Sequence, residues 1–205
     1  MYQTKAREVD HVVIGLGGLG SAATYWLARI ADEADLPKPT IIGLEQFELG
    51  HERGASHDHS RIIRRSYHTP GYAALASGAY DAWDAVAAEA NEELVVRTGG
   101  IDLFPAGGEI PTDRYIHSMS AINCPFEVLD ADETMRRYPQ FRLDPDVVAI
   151  AQADTGIAPA AKGTAAHQRL ATNRGADLDT HEGVERITSD VLIISMTDIA
   201  SARSQ

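Results

Sequence analysis

The stretch Asp10–Gly20, DHVVIGLGGLG, constrains the fold of this chain more than any other. A short apolar run, Val12–Ile14, leads directly into Gly15-x-Gly17-x-x-Gly20, and Ser21–Ala31, carrying Trp26, Leu27 and Ile30, then reads as a helix. A buried strand, a glycine turn and a helix in that order form the first half of a dinucleotide-binding unit. Each glycine has a physical role there: Gly15 permits the tight turn, Gly17 lets a pyrophosphate approach the backbone, and Gly20 lets the helix pack closely on the strand. The helix N-terminus offers N–H groups and a positive dipole end to the phosphates. A glycine-rich turn by itself often holds no ligand; the flanking strand and helix make the dinucleotide reading the stronger one.

The next segment extends the unit. Thr40–Leu44 reads as a second buried strand with Glu45 at its end, where an acidic residue hydrogen-bonds the ribose of the adenosine half. The alternative for Glu45 is a solvated strand end. The link between helix and strand, 32–39, contains Pro37 and Pro39 and is expected to loop over the surface.

A chain of 205 residues can build one sizeable core with room for a small second lobe. Its net charge of −12 argues against a nucleic-acid or anionic-membrane partner. One cysteine, Cys124, excludes an intrachain disulfide framework and a cysteine-cluster metal site, so no metal is expected. No apolar run is long enough to span a bilayer and no signal segment opens the chain, which predicts a soluble, cytoplasmic protein with a loose polar tail over Met1–Glu8.

After Glu45 the sequence ELGHERGASHDHSRIIRRSYH lacks strand or helix periodicity up to Arg61, and holds four of the eight histidines together with four arginines. Such positive density in an acidic protein suits either a solvated loop or a loop laid across an anionic ligand. A short helical turn at Arg61–Arg64 would put both guanidinium groups on one side. Tyr72–Leu94 has the clearest helical pattern, with Tyr72, Leu75, Ala79, Trp83, Val86, Ala87, Ala90 and Leu94 forming one apolar stripe. Gly99-Gly100 then turns the chain into a strand over Ile101–Phe104, and a weaker helix is expected near Asp113–Ile122. Asp132 reads as the N-cap of another helix that ends before Pro139. Val147–Ala151 reads as a strand, Pro159 and Gly175 bracket a helix, and Leu178, Val184–Ile187 and Val191–Met196 are short strand candidates.

With these residues in view, the chain resembles the N-terminal half of an FAD-dependent amine oxidase of the monomeric sarcosine oxidase and N-methyltryptophan oxidase group, within the D-amino-acid-oxidase-like superfamily. DHVVIGLGGLGSAATYWLA and GLEQFELGHERGASHDHSRIIRRSY carry the resemblance; fainter agreement follows in RTGGIDLF, QADTGIAP and RGADLDTHEGVERI. It covers residues 10 to about 188. The glycine motif is shared with many flavin and nicotinamide enzymes, whereas SHDHSRIIRRSY is much more particular to this group.

The resemblance implies an α/β fold: a Rossmann-like FAD-binding layer with the beginning of a mixed α+β substrate lobe. The implied boundaries are an FAD-binding segment over 1–93, a partial substrate lobe over 94–151, and a return to the FAD-binding domain over 152–205. Gly15, Gly17 and Gly20, with Gly18 and Leu19, would cradle the FAD pyrophosphate; Glu45, with Gln46, would hold the adenosine ribose; and the backbone of Val184 would contact adenine. Ser60 and Arg61 would lie against the flavin and His57 close to it, while Arg64 would grip the carboxylate of the substrate, a planar two-pronged cation suiting that task. A surface ion pair is the plainer alternative for Arg64. The activity implied is oxidation of a secondary or N-methyl amine of an amino acid, with O2 as acceptor.

Family members run to roughly twice this length, and the second half would supply most of the substrate-domain sheet, an oxygen-activating lysine and the cysteine that links to FAD in sarcosine oxidase. Cys124 does not match that cysteine, so a noncovalent flavin is expected. The family pattern fades after about Ser189, as a truncated reading frame or gene fragment would make it do. A catalytically inactive nucleotide-binding fragment or interaction module and a nicotinamide-dependent dehydrogenase therefore stand as alternatives.

Overall fold

The computed structural model describes residues 7–188 and the strand at 192–195. Along the chain run β1 (His11–Ile14), α1 (Gly18–Glu33), β2 (Ile41–Glu45), β3 (Arg61–Ile63), α2 (Pro70–Ala90), β4 (Val96–Arg97), β5 (Gly100–Phe104), α3 (Thr112–Ala121), β6 (Glu127–Leu129), α4 (Ala131–Arg137), β7 (Val148–Gln152), β8 (Gly156–Ala158), α5 (Ala160–Asn173), β9 (Asp177–Thr180), β10 (Gly183–Ile187) and β11 (Leu192–Ser195). They form two units, one from the residues up to His59 and from Pro159 onward, the other from Ser60–Ala158. The lobe expected over 94–151 lies inside the second unit, which also takes in α2.

In the first unit β1, β2 and β9 form a parallel sheet in the order β1-β2-β9. The register runs from His11 opposite Ile41 to Ile14 opposite Leu44, and from Ile42 opposite Asp177 to Glu45 opposite Thr180. Every residue of β2 is buried, as a central strand of a parallel sheet demands. The buried strand expected at Val12–Ile14 is corrected: β1 lies at the edge of the described sheet, with Val12 and Ile14 exposed. Helices α1 and α5 pack against one another and supply Tyr25, Ala28, Ala166, Leu170 and Ala171 to the core. The loose tail expected at Met1–Glu8 is described only at its end, where Arg7 is tied to β9 by ion pairs of 2.5 Å to Asp177 and 3.1 Å to Asp179. Strand β10 pairs with β11; Val191 and Met196, the ends of the strand expected there, lie outside the described residues.

The second unit is antiparallel. Its larger sheet has the order β5-β7-β6. Residue alternation along β7 sends Ile150 to one face, with Met119, Cys124 and Phe104, and Ala149 and Ala151 to the other, with Leu129 and Leu103. A smaller sheet has the order β3-β8-β4. Helix α2 begins with Pro70 and ends at Asn91, whose left-handed φ of 53° stops it three residues before the expected Leu94. The expected stripe holds at Val86 and Leu94, which are buried, and shifts at its start, where Tyr72 and Leu75 are exposed and Ala73 and Tyr80 are buried instead. Tyr80 anchors that face: its hydroxyl donates to the Asp154 carbonyl at 2.8 Å, and the Arg65 guanidinium lies 4.1 Å from its ring centroid. The N-cap expected at Asp132 is also corrected. Asp130 caps α4, its carboxylate accepting the Glu133 N–H at 2.8 Å, and Asp132 lies within the first turn.

Candidate dinucleotide site

The glycine turn joins β1 to α1, and its geometry accounts for two of the three glycines. Gly15 has φ of +83° and donates its N–H to the Leu44 carbonyl at 2.7 Å, so the turn is fastened to β2 in a conformation that side chains disfavour. A Cβ on Gly20 would lie 1.7 Å from the Gly15 carbonyl oxygen, so only glycine lets the helix start so close to the turn. Around Gly17 the contact is a side chain, Ser56, whose Oγ would lie 3.1 Å from an added Cβ. That hydroxyl accepts the Gly18 N–H at 2.7 Å, and the Ser21 hydroxyl donates back to the Gly17 carbonyl at 2.8 Å. Buried Gln168 of α5 donates to the Leu16 carbonyl at 2.8 Å and pins the turn.

Glu45 stands at the end of β2 and is only 6% exposed. Its Oε2 accepts the Leu16 N–H at 2.8 Å, its Oε1 accepts the Phe47 N–H at 3.2 Å, and His51 Nε2 lies 3.3 Å from the same Oε1. A buried carboxylate requires such partners. The turn after β9 reaches the same place, since the Glu182 N–H donates to the Glu45 carbonyl at 2.9 Å, and β10 then brings Val184 alongside.

A cavity of about 420 Å³ opens between these elements, within the range of cofactor and small-molecule pockets. Gly15, Gly17, Glu45, Gln46, His57 and Val184 line it together, six of the positions expected from sequence. Gly18 and Gly20 stand in the helix start behind it, and the Leu19 side chain is 91% exposed. His57 Nδ1 donates to the Gly54 carbonyl at 2.6 Å, beside Asp58, whose φ of 90° is a conformation that L-residues rarely adopt. Ser56, His51, Thr164 and Gln168 line the cavity too, although no sequence signal singled them out. A positive-φ turn and a helix start to donate to phosphates, and a buried acid at the neighbouring strand end to accept from ribose, are the parts of a dinucleotide site, so the residues present fit FAD.

Ser60, Arg61 and Arg64 belong to the second unit. The helical turn expected at Arg61–Arg64 is corrected: Arg61–Ile63 is extended as β3 and pairs with β8, because backbone pairing outweighs a four-residue turn. Arg61 donates to the Ser60 carbonyl at 2.6 Å. Arg64 is paired with Asp102, whose other oxygen accepts the Ser66 hydroxyl. A guanidinium carries five N–H donors, so Arg64 can be held by Asp102 and still present donors to a second carboxylate. Nearby, Gln152 bonds the buried Cys124 thiol, and burial pushes that thiol's pKa up. Among the described residues no cluster suited to a metal ion occurs, and no helix is long and apolar enough to cross a membrane.

The glycine turn, the parallel sheet and the acidic strand end define a Rossmann-type dinucleotide-binding unit. Residues 10–201 match the family described as DAO, FAD dependent oxidoreductase, and the chain belongs to that family. Monomeric sarcosine oxidase of Streptomyces avermitilis is 34% identical over 178 residues, covering 86% of this chain and 44% of that protein. N-methyl-L-tryptophan oxidase of Salmonella arizonae is 27% identical over 172 residues, covering 81% of this chain and 43% of that protein. The fold is shared with NikD, an unusual amino acid oxidase essential for nikkomycin biosynthesis, in its open form, at a TM-score of 0.74 and 22% identity over 92% of this chain and 48% of that one. The chain thus spans a little under half the length of these relatives.

Proposed function

We propose that this chain binds FAD at the glycine turn, and that the activity it serves is oxidation of a secondary or N-methyl amine of an amino acid with O2 as acceptor. The observation that carries the reading is the placement of Glu45, a buried carboxylate hydrogen-bonded to Leu16 inside a cavity it shares with Gly15 and Gly17. In the proposed complex the turn and the α1 N-terminus hold the pyrophosphate, Glu45 and Gln46 face the adenosine ribose, and Val184 borders adenine. FAD, when bound, supplies the two-electron chemistry. The chain's part is to bind and orient: Ser60, Arg61 and His57 toward the flavin, and Arg64, steadied by Asp102, toward the substrate carboxylate. A cytoplasmic setting belongs to the same reading, with Cys124 a free thiol.

The test is a titration of the purified chain with FAD, FMN and NAD, followed by peroxide detection with sarcosine and N-methyltryptophan. Tight FAD binding that acid precipitation reverses is the expected result. Tighter NAD than FAD binding would turn the assignment toward a nicotinamide-dependent dehydrogenase, and FAD binding without peroxide would leave a nucleotide-binding function alone.

A further inference from the structure

The cavity beside the glycine turn would hold a diphosphate, yet among the described residues no lysine or arginine lines it, while Glu45 and Glu182 do. Its phosphate donors are therefore chiefly neutral groups. Backbone N–H groups of the turn and of the α1 start are one source. Two side-chain hydroxyls are a second: Ser56, from the loop after β2, and Thr164 of α5 both line the cavity.

Ser56 meets the α1 start directly. Its Oγ accepts the Gly18 N–H at 2.7 Å and lies 3.1 Å from where a Cβ on Gly17 would stand, in the space that the missing side chain leaves for a pyrophosphate. A hydroxyl that accepts an N–H turns its proton elsewhere, and among the described residues nothing accepts the proton of Ser56. The amide also polarises the hydroxyl, which strengthens it as a donor. Thr164 Oγ1 lies 3.8 Å from the Cβ position of Gly18, and Ser56 Oγ lies 3.2 Å from the same point. Three other helical threonines turn their hydroxyls back onto the preceding turn: Thr24 donates to the Gly20 carbonyl at 2.8 Å, Thr134 to that of Asp130 at 2.7 Å and Thr172 to that of Gln168 at 3.1 Å. Thr164 makes no such bond, and its hydroxyl has no partner among the described residues.

We propose that Ser56 and Thr164 are phosphate-binding residues of the dinucleotide site, each donating its hydroxyl proton to an oxygen of the diphosphate. The inference rests on the dinucleotide reading and adds two side-chain donors to the backbone amides. In a cavity without a lysine or arginine, such donors are what offsets the charge of the phosphates.

The experiment measures binding of FAD, ADP and adenosine to the full chain and to its Ser56→Ala, Ser56→Thr and Thr164→Val variants, with thermal melting of each as a folding control. Adenosine keeps the base and the ribose and lacks both phosphates, so the ratio of ADP to adenosine affinity isolates the phosphate contacts. A lost hydrogen bond to a charged acceptor predicts that this ratio falls about tenfold or more in Ser56→Ala and in Thr164→Val, with FAD weakened in parallel and adenosine nearly unchanged. Ser56→Thr keeps a hydroxyl and should keep the ratio, whereas a residue that only braced the turn would weaken adenosine and ADP together. A ratio that is unchanged or increased in folded Ser56→Ala or folded Thr164→Val overturns the proposal, as does its loss in folded Ser56→Thr. A parent chain that binds FAD without preferring ADP over adenosine overturns the role of the hydroxyls and leaves the dinucleotide reading intact. A parent chain that binds neither FAD nor ADP overturns both.

Discussion

Replacing glycine by alanine in a helix should have opposite signs at two places in this chain. At Gly20, near the start of α1, the new Cβ would meet the Gly15 carbonyl oxygen at 1.7 Å and its carbon at 2.9 Å. Both are backbone atoms and cannot rotate away, so relief to 3.0 Å requires the helix and the turn to part by about 1.3 Å. A shift of that size breaks the 2.8 Å bond between the Leu16 N–H and Glu45 and the 2.7 Å bond between the Gly18 N–H and Ser56. Overpacking costs about 1–3 kcal/mol, a lost hydrogen bond to a charged group about 1.5–3 kcal/mol, and alanine returns about 1 kcal/mol of helix propensity. Gly20→Ala should therefore destabilise the first unit by about 3 kcal/mol. At Gly78, inside α2, an added Cβ meets nothing within 4 Å, so Gly78→Ala should stabilise the second unit by about 0.5–1 kcal/mol. The chain carries its own reporters, because its two tryptophans, Trp26 in α1 and Trp83 in α2, fall one to each unit. Urea unfolding followed by fluorescence in Trp83→Phe and Trp26→Phe backgrounds reads the units separately. With a urea slope of about 2 kcal/mol/M, the Trp26 midpoint should fall by roughly 1.5 M in Gly20→Ala and the Trp83 midpoint should rise by about 0.3 M in Gly78→Ala. An unchanged Trp26 midpoint, or a Gly78→Ala chain that is less stable, would refute the steric argument.

Gly17→Val should abolish FAD binding with circular dichroism unchanged, since the nearest protein atom to its Cβ is the movable Ser56 hydroxyl at 3.1 Å; retained binding would reduce Gly17 to a turn residue. Asp130→Ala removes the cap that accepts the Glu133 N–H and should cost about 1 kcal/mol on the Trp83 transition, whereas Asp132→Ala should change it little. Burial of His167 lowers its pKa below the ordinary 6.5, so the unfolded chain takes up the proton first and stability falls as pH drops through about 6.5, until the folded-state value is passed. The difference in melting temperature between the parent chain and His167→Gln should therefore be flat above about pH 7 and shift in favour of the variant below it; a difference independent of pH would contradict the burial argument.

The first unit was legible where several local signals coincide. Val12–Ile14, the three glycines and Thr40–Leu44 were each supported by pattern and punctuation together, and β1, α1 and β2 follow them closely. What escaped was set by distant partners. Strands β3, β4, β6 and β8 have two or three residues each and exist through pairing, too short for alternation to register. At the start of α2 the stripe falls on the wrong face: Tyr72 and Leu75 are exposed while Ala73 and Tyr80, seven residues apart and so on one face, are buried, and periodicity in an alanine-rich helix leaves open which of two adjacent stripes meets the core. In the site, Glu45 was visible as an acid closing an apolar run, but Gln168 reaches the turn from 152 residues away and Ser56 from 38. Asp130 and Asp132 are chemically alike, and only backbone geometry decides which one caps.

The second unit begins and ends on neighbouring strands, Arg61 of β3 lying opposite Ala158 of β8, and the chain is tied again just outside that pair by the bond from the Ala161 N–H to the Asp58 carbonyl. During synthesis this sets an order. Strand β2, whose residues are all buried at the end, emerges early, yet its partner β9 follows only after the whole inserted unit, with Ile42 and Asp177 roughly 135 positions apart. At about 5–20 residues per second the interval is on the order of ten seconds. The inserted unit, continuous in sequence, can close on itself during that time, while one side of β2 stands open as a pairing template. Speed of elongation through residues 60–158 thus governs how long the nascent sheet must be shielded from other chains.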